Sequence, residues 1–483
     1  MFDSLSFSST VFLILALGLA LAFEFVNGFH DTANAVATVI YTRTLKPNQA
    51  VVWSGLWNLI GVLTSSGAVA FGIVALLPVE LVINVGNGAG FAMVFALLLS
   101  SMIWNLGTWY LGLPASSSHT LIGSILGVGL ANSVLGSGSF GEGVNWAHAR
   151  DIGLSLLISP VIGFCGAAAL LLLCKIAIRE PHLYEAPKGN TPPPPWIRSL
   201  LVLTCTGVSF AHGSNDGQKG MGLIMLILIG ILPGAYALNP GADRAQYERV
   251  AVMADSANQI IERHADRAQA PGAANELSAF LKPEGRATPS VFRALLDQNH
   301  TLAAELRQSS FNHRALRIDL YLVGKSISKL AASGSFDGPG EANAMTTYSR
   351  ELDRLVNYIP AWVKGAVALA LGLGTMIGWK RIVVTVGEKI GKSHLSYAQG
   401  ASAELVAMTT IAAADLAGLP VSTTHVLSSG VAGAMAANHS GLQMATVRNL
   451  CLAWVLTLPV CVLLGATLFA GSLFLFLHVL GFK

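Results

Sequence analysis

Three long stretches of the chain carry no Asp, Glu, Lys or Arg: 47–79, 81–141 and 449–482. A membrane-spanning helix takes roughly 20 mostly apolar residues, so each stretch holds at least one crossing, and 81–141 holds two or more. Apolar segments fall near 9–26, 50–77, 90–112, 152–174, 199–211, 220–238, 361–379, 397–414 and 447–480. The last is long enough for two helices or one tilted helix. Two shorter segments, 114–134 and 420–437, open on proline and are rich in Gly and Ser. Two polar stretches interrupt this pattern. Residues 175–198, with four prolines from Pro192 to Pro195, read as a linker. Residues 239–358 hold about half of the charged residues. Within them, 243–265 and 302–333 predict amphipathic helices separated by gaps rich in Gly, Pro and Ala. The expected organisation is a first membrane repeat at 1–178, a linker at 179–198, the start of a second repeat at 199–238, a soluble helical insertion at 239–358 and the rest of the second repeat at 359–483.

Composition strengthens the membrane reading. Of 483 residues, 53% are hydrophobic and 11% charged, against about 25% charged in soluble domains. The mean hydropathy is +0.59, while a net charge of +3 says little about partners. The first apolar run has no basic flank before it and reads as a retained span rather than a cleaved leader. The basic linker, with Lys175, Arg179, Lys188 and Arg198, favours the cytoplasm, and the insertion is assigned to the same side. The five cysteines show no CxxC spacing and read as small core residues. No GxxxxGK[ST] loop and no HExxH motif occur, so nothing supports ATP-driven pumping or a metallopeptidase-like centre.

An internal repeat carries the chemistry. The heptapeptide Leu113-Pro114-Ala115-Ser116-Ser117-Ser118-His119 recurs as Leu419-Pro420-Val421-Ser422-Thr423-Thr424-His425. A looser pair aligns Gly28-Phe29-His30-Asp31-Thr32-Ala33-Asn34 with Gly213-Ser214-Asn215-Asp216-Gly217-Gln218-Lys219. Carboxylates in membrane-embedded sequence are costly and mark function by default. Asp31 and Asp216 are each expected at a break between apolar segments, where freed backbone groups line a protein-buried or watered cavity. A carboxylate there can hold a cation or carry a proton; the alternative is a helix cap at the membrane surface. In the second motif, Pro favours the first turn of a helix. The consecutive hydroxyls can then donate alongside that turn's unpaired N–H groups, a natural oxyanion site. The alternative is that they satisfy backbone carbonyls in packed helices. His119 and His425 either titrate near neutral pH or are hydrogen-bonded core residues. Glu24 and Glu404 are further intramembrane carboxylates, read as members of a proton path or as partners of buried hydroxyls. Asp415 is placed at a helix end. An intramembrane hydrolase built on Ser, His and Asp fits poorly, because a nucleophile is needed only once and this motif is duplicated.

At these four motifs the chain resembles the PiT family of inorganic phosphate transporters, most closely the bacterial low-affinity Pit permeases. The matching residues are 27–38, 113–120, 212–220 and 418–425. The resemblance implies an all-α polytopic membrane protein: two inverted repeats with broken helices and re-entrant hairpins, plus the soluble insertion. It implies a symporter of the bacterial inner membrane, not an enzyme. Its partners would be inorganic phosphate and membrane lipid, with no nucleic acid and with a homo-oligomer left open. There would be no resident cofactor; a proton and a divalent metal would be co-transported, the phosphate travelling as a neutral metal complex. Sulfate transport and sodium coupling are the alternatives. Phosphate can donate a hydrogen bond to a carboxylate and sulfate at neutral pH cannot, so Asp31 favours phosphate. The substrate-binding residues expected are Ser116, Ser117, Ser118, Thr120, Gln218, Ser422, Thr423 and Thr424. The coupling residues expected are His30, Asp31, Asn34, Asn215, Asp216 and Lys219, and no metal ligands are assigned. The family's Asp motif commonly reads G-A-N-D-V-A-N. Here His30 replaces the Asn of the first copy, and Lys219 stands in the second copy where Asn34 stands in the first. Both departures point to protons rather than sodium.

Overall fold

A computed structural model of the chain describes residues 6–31, 33–74, 76–77, 88–136, 141, 144, 146–187, 192–267, 272–282, 285–479 and 481. Among these the fold is helical, with one isolated bridge between Gly391 and Leu442. The first half comprises α1 (Phe7–Asp31), α2 (Ala33–Tyr41), α3 (Pro47–Thr64), α4 (Ala68–Val74), α5 (Gly88–Tyr110), α6 (Ser117–Leu135) and α7 (Trp146–Ala177). The second half opens with α8 (Pro195–Ile231). The insertion follows as α9 (Arg244–His264), α10 (Ala273–Leu281), α11 (Pro289–Leu306), α12 (His313–Ala332) and α13 (Gly338–Val356). The second half resumes with α14 (Ala361–Met376), α15 (Tyr397–Leu416), α16 (Thr423–Ala437) and α17 (Met444–Phe474). Five described stretches are long and apolar enough to cross a membrane, counting Ser9–Tyr41 through α1 and α2 as one. Two bent pairs add to them: α3 with α4, at 75°, and α13 with α14, at 78°. The chain is a multi-pass membrane protein.

The halves interlock by exchange. Helix α1 packs on α14 and α8 on α3, while α6 packs on α17 and α16 on α7. Each of these elements thus lies against one from the other half. Glycine makes the crossings close enough. A Cβ on Gly127 of α6 would collide with the Val462 carbonyl of α17, and one on Gly433 of α16 with the Phe164 carbonyl of α7. Only hydrogen fits between backbones at that distance.

Two apolar clusters divide the membrane body. One gathers Phe12–Phe23 positions of α1, the front of α6 beyond Leu121 and the end of α8 beyond Met221. The other gathers α2, the start of α8 from Ile197 to Ala211, and α16 from Val426 onward. So α1–α2 runs from the first cluster to the second, and α8 runs the opposite way. The residues between the clusters are the polar motifs. The insertion has a separate core, including Val250, Leu295, Leu320 and Leu352.

Several expectations change. Asp31 is the last described residue before Thr32, which lies outside the described residues, and Asp216 lies inside α8, which is uninterrupted over 37 residues. Gly213 and Gly217 of α8 sit against Asn58 and Val62 of α3. Packing at this contact offsets the poor helix propensity of glycine, so the chain has no reason to break there. The 302–333 segment is two helices rather than one. It parts at 307–312, where the Asn312 side chain accepts the N–H groups of Arg314 and Ala315 and starts α12. The final apolar segment is a single helix, continuing from α17 as a π-helical turn at Leu475–Val479. Within α7, Pro160 cannot donate to the Leu156 carbonyl, and the Ser159 hydroxyl donates to it instead at 3.0 Å. Of the charge-free run 81–141, residues 81–87 and 137–140 lie outside the described residues; 88–136 hold α5 and α6.

Candidate substrate and ion site

The two Pro-Ser/Thr-His motifs form matching helix starts. Ser116 caps α6 and accepts the His119 N–H at 3.2 Å; Ser422 caps α16 and accepts the His425 N–H at 3.2 Å. The prolines therefore lie two residues before the caps, not in the first turn, because a serine oxygen holds the capping position better than any ring could. Both N-termini are buried and point into the polar layer between the apolar clusters. Eight of the most buried polar side chains there are Asp31, Ser117, Ser118, Asp216, Lys219, Ser422, Thr423 and Thr424.

Asp31 is the meeting point. Ser117 Oγ donates to its Oδ2 at 2.9 Å, and the Thr424 hydroxyl donates to its Oδ1. One hydroxyl from each half therefore reaches the same carboxylate. Ser117 Oγ also lies 3.3 Å from Asp216 Oδ2, and Lys219 Nζ donates to Ser117 Oγ at 3.1 Å. Lys219 Nζ is 2.8 Å from Asp216 Oδ2. A serine has one proton, so it cannot serve two carboxylates at once. The pair needs another positive group, and Lys219 supplies one on the Asp216 side. Asp216 Oδ1 is buried with no partner among the described residues.

Two histidines close the cluster. His30 Nδ1 is 3.5 Å from Asp31 Oδ1, and its Nε2 is 3.1 Å from Thr108 Oγ1 of α5. His212 Nε2 lies 3.9 Å from Asp31 Oδ2 and 3.4 Å from Asp216 Oδ2, without hydrogen-bond alignment. Its Nδ1 is held by Asn58 Oδ1 at 2.7 Å, and Asn58 donates to Thr375. Asp31, His212 and Asp216 offer three ligand atoms within 4.8 Å of one another.

The remaining expected residues lie around this centre in other roles. Ser118 donates to the Val421 carbonyl at 2.8 Å, and Thr120 to the Ser117 carbonyl at 2.7 Å. Asn215 holds the segment leading into α16, donating to Leu419 O and accepting Val421 N–H. Gln218 points away from Asp31: it donates to Asp415 Oδ1 at 2.6 Å and accepts Val69 N–H. Thr423 is buried at the first position of α16. The backbone of Asn34 is in α2, and its side chain lies outside what is described. The rings of His119 and His425 lie against each other, tilted by 39° with centres 4.6 Å apart, and the His425 ring centre is 4.3 Å from that of Trp454. Glu404 accepts the hydroxyls of Thr38 and Thr204, and Glu24 accepts Asn27 Nδ2 at 3.4 Å.

Sequence reasoning passed over three participants and placed a fourth, Asp415, only at a helix end, where the structure has it. His212 stands one turn before Asp216, a spacing that places both on one face of α8. Thr108, Asn58 and Asp415 come from other helices, and no local signal tied them to the motifs.

Opposed capped helix starts, a carboxylate between them and a buried ammonium define a membrane carrier with a central polar site. The sequence profile described as the phosphate transporter family matches residues 27–465. The chain belongs to that family. It is 41% identical to the low-affinity inorganic phosphate transporter PitA of Escherichia coli K12, over 98% of this chain and 99% of that protein. It is 28% identical to the probable low-affinity inorganic phosphate transporter of Bacillus subtilis, over 94% of this chain and 95% of that one. Its fold is similar to a solved structure of a sodium-dependent phosphate transporter, with a TM-score of 0.53 and 19% identity across 95% of this chain and 98% of the other. These sequence relatives are bacterial transporters, in keeping with a multi-pass inner-membrane protein.

Proposed function

We propose that the chain takes up inorganic phosphate by secondary active symport and alternating access. The observation that carries this reading is the convergence of Ser117 and Thr424 on Asp31, from two helix N-termini belonging to different halves. Helix N-termini favour anions, and a carboxylate among them favours an anion that brings its own proton. Phosphate does so and sulfate at neutral pH does not. Phosphate would exchange places with these internal bonds, its oxygens taking the Ser117 and Thr424 hydroxyls and the N–H groups of both first turns. Its O–H would face Asp31 or the unpartnered Asp216 Oδ1. Ser116 and Ser422 would hold the two turns in shape rather than touch the anion.

Proton coupling is supported by Lys219, whose ammonium stands at Asp216 where a sodium ion would otherwise be needed. The Asp31–His212–Asp216 set has the hard-oxygen and imidazole donors suited to a divalent cation, and would take the metal of a neutral metal–phosphate complex as cargo. The opposite running directions of α1–α2 and α8 support an inverted repeat, in which rocking of one half against the other exposes the site alternately. Counterflow of labelled phosphate in proteoliposomes tests this, with pH, sodium and magnesium varied separately. Phosphate exchange with no sodium requirement, and accumulation abolished by a protonophore, is expected. Accumulation that needs sodium and ignores the protonophore overturns the proton reading. Ser117→Ala should lower phosphate counterflow at least tenfold, since hydrogen bonds to charged groups are worth about 1.5–3 kcal/mol. Full gradient-driven accumulation by Asp31→Asn would remove the carboxylate from the mechanism.

A further inference from the structure

Among the described residues, four carboxylates of the membrane body are buried: Glu24, Asp31, Asp216 and Glu404. Three of them are matched. Asp31 takes the Ser117 and Thr424 hydroxyls. Asp216 takes the Lys219 ammonium. Each oxygen of Glu404 takes a threonine hydroxyl, one from Thr38 and one from Thr204. Glu24 is different. Its Oε2 accepts Asn27 Nδ2 over a long 3.4 Å, and its Oε1 has no partner among the described residues. Asn27 Oδ1 is buried and unpartnered in the same way.

Glu24, Asn27 and Asp31 follow one another at i, i+3 and i+7, on one face of α1. A rise of 1.5 Å per residue puts Glu24 about 10 Å from Asp31 along that face, away from the hydroxyls assigned to phosphate. Phe23 beside it belongs to the first apolar cluster, as does Met221 of α8, so Glu24 stands where that cluster meets the polar layer. Its side chain rests on α8 at Gly220, where a Cβ would lie 2.2 Å from Glu24 Cγ and 2.5 Å from Oε1. The Gly220 N–H also faces the carboxyl, but it lies inside α8 and is committed to the helix. The charged groups acting on Glu24 are Lys219, one residue before Gly220, and Asp216. The other long helices packed on α1 add none. Helix α5 carries no charged residue, and the one in α14, Lys364, donates to the Ser65 carbonyl.

We propose that Glu24 carries the co-transported proton, at a place of its own beside the phosphate site. This role rests on the proton symport proposed above. An unpaired carboxylate sealed from water is costly, so the closed site holds Glu24 as the neutral acid. When the carrier opens, the O–H bond at Glu24 breaks, its electron pair stays on the oxygen, and the proton passes to water. The carboxylate left behind has the Lys219 ammonium close by on α8, which can then be shared between Asp216 and Glu24. Proton and phosphate thus use different carboxylates, and Asp31 is left to meet the phosphate O–H.

Accumulation of labelled phosphate in proteoliposomes, with the membrane potential held at zero, tests the role. A pH difference of about one unit sustains about a tenfold accumulation ratio for one coupled proton. Glu24→Gln keeps the shape of the neutral acid but cannot release a proton. Its accumulation ratio should fall to about one, while counterflow, which needs no net proton movement, should fall far less. Glu24→Asp keeps a titratable carboxyl and should retain measurable accumulation. Accumulation by E24Q equal to that of a protonophore-sensitive parent overturns the role of Glu24 alone. Equal losses of accumulation and counterflow in both variants also overturn it, since Glu24 would then serve folding or phosphate binding. Parent accumulation that ignores the protonophore removes proton symport itself, and the role of Glu24 with it.

Discussion

Replacing Lys219 with Met tests the ion arrangement most directly. Lys219 Nζ is 2.8 Å from Asp216 Oδ2 and 3.1 Å from Ser117 Oγ, and the Lys219 and Asp216 side chains are 1% and 0% exposed. Methionine keeps the length and most of the volume of lysine, so the packing term is small. What remains is a buried carboxylate without its ammonium. Removing one partner of a buried pair costs about 3–5 kcal/mol, or two to three and a half orders of magnitude in the unfolding equilibrium. His212, 3.4 Å from the same oxygen, can take up part of the charge, which places the expectation at the lower end. The double variant K219M/D216N removes both charges at once. Swapping a buried pair for neutral groups of similar size is often close to neutral, so it should recover at least half of the loss. Reversible unfolding in mixed detergent micelles measures four proteins: the parent, K219M, D216N and the double variant. A K219M variant within about 1 kcal/mol of the parent, or a double variant whose loss equals the sum of the single ones, would refute a charge-balanced Lys219–Asp216 pair. Labelled-phosphate counterflow on the same samples then shows whether sodium becomes necessary once the ammonium is gone.

Three further outcomes follow from the structure. Gly433→Val places a side chain against the Phe164 carbonyl and should cost at least the 1–3 kcal/mol typical of overpacking, read as a lower melting point and a broadened size-exclusion peak. Gly365→Ala, where an added Cβ meets nothing within 4 Å, should be neutral or stabilising by up to about 1 kcal/mol. In the insertion, burial and the neighbouring Glu305 carboxyl raise the Asp319 carboxyl to about 7. A raised carboxyl binds its proton more tightly when folded, so its contribution is complete below the ordinary value near 4 and is lost as pH rises through about 7. The insertion should therefore melt more easily as pH rises from about 4 to about 7, and Asp319→Asn should flatten that slope. An equally steep slope in the variant would place the titration elsewhere.

The class of the molecule was legible in the sequence alone, because spans of twenty apolar residues have few uses outside a bilayer, and a repeated motif with conspicuous buried-type polar residues requires a shared role. Asp31, Asp216, Ser117 and Thr424 were legible for the same reason: each is costly where it stands unless something pairs with it. The departure at Lys219 was visible as well, though not that the ammonium reaches across to Ser117. Tertiary structure alone decided which hydroxyls face the centre. Ser116, Ser117 and Ser118 are consecutive, yet helix geometry turns them to a cap, a carboxylate and the Val421 carbonyl just before α16. It also decided that α8 runs unbroken through Asp216, since the glycines that look like a break are contact points for α3. Most of all, it brought Asn58, Thr108 and Asp415 to the polar layer. Their partners are distant in the chain, and periodicity reports only which face of a helix is buried, never which helix lies against it.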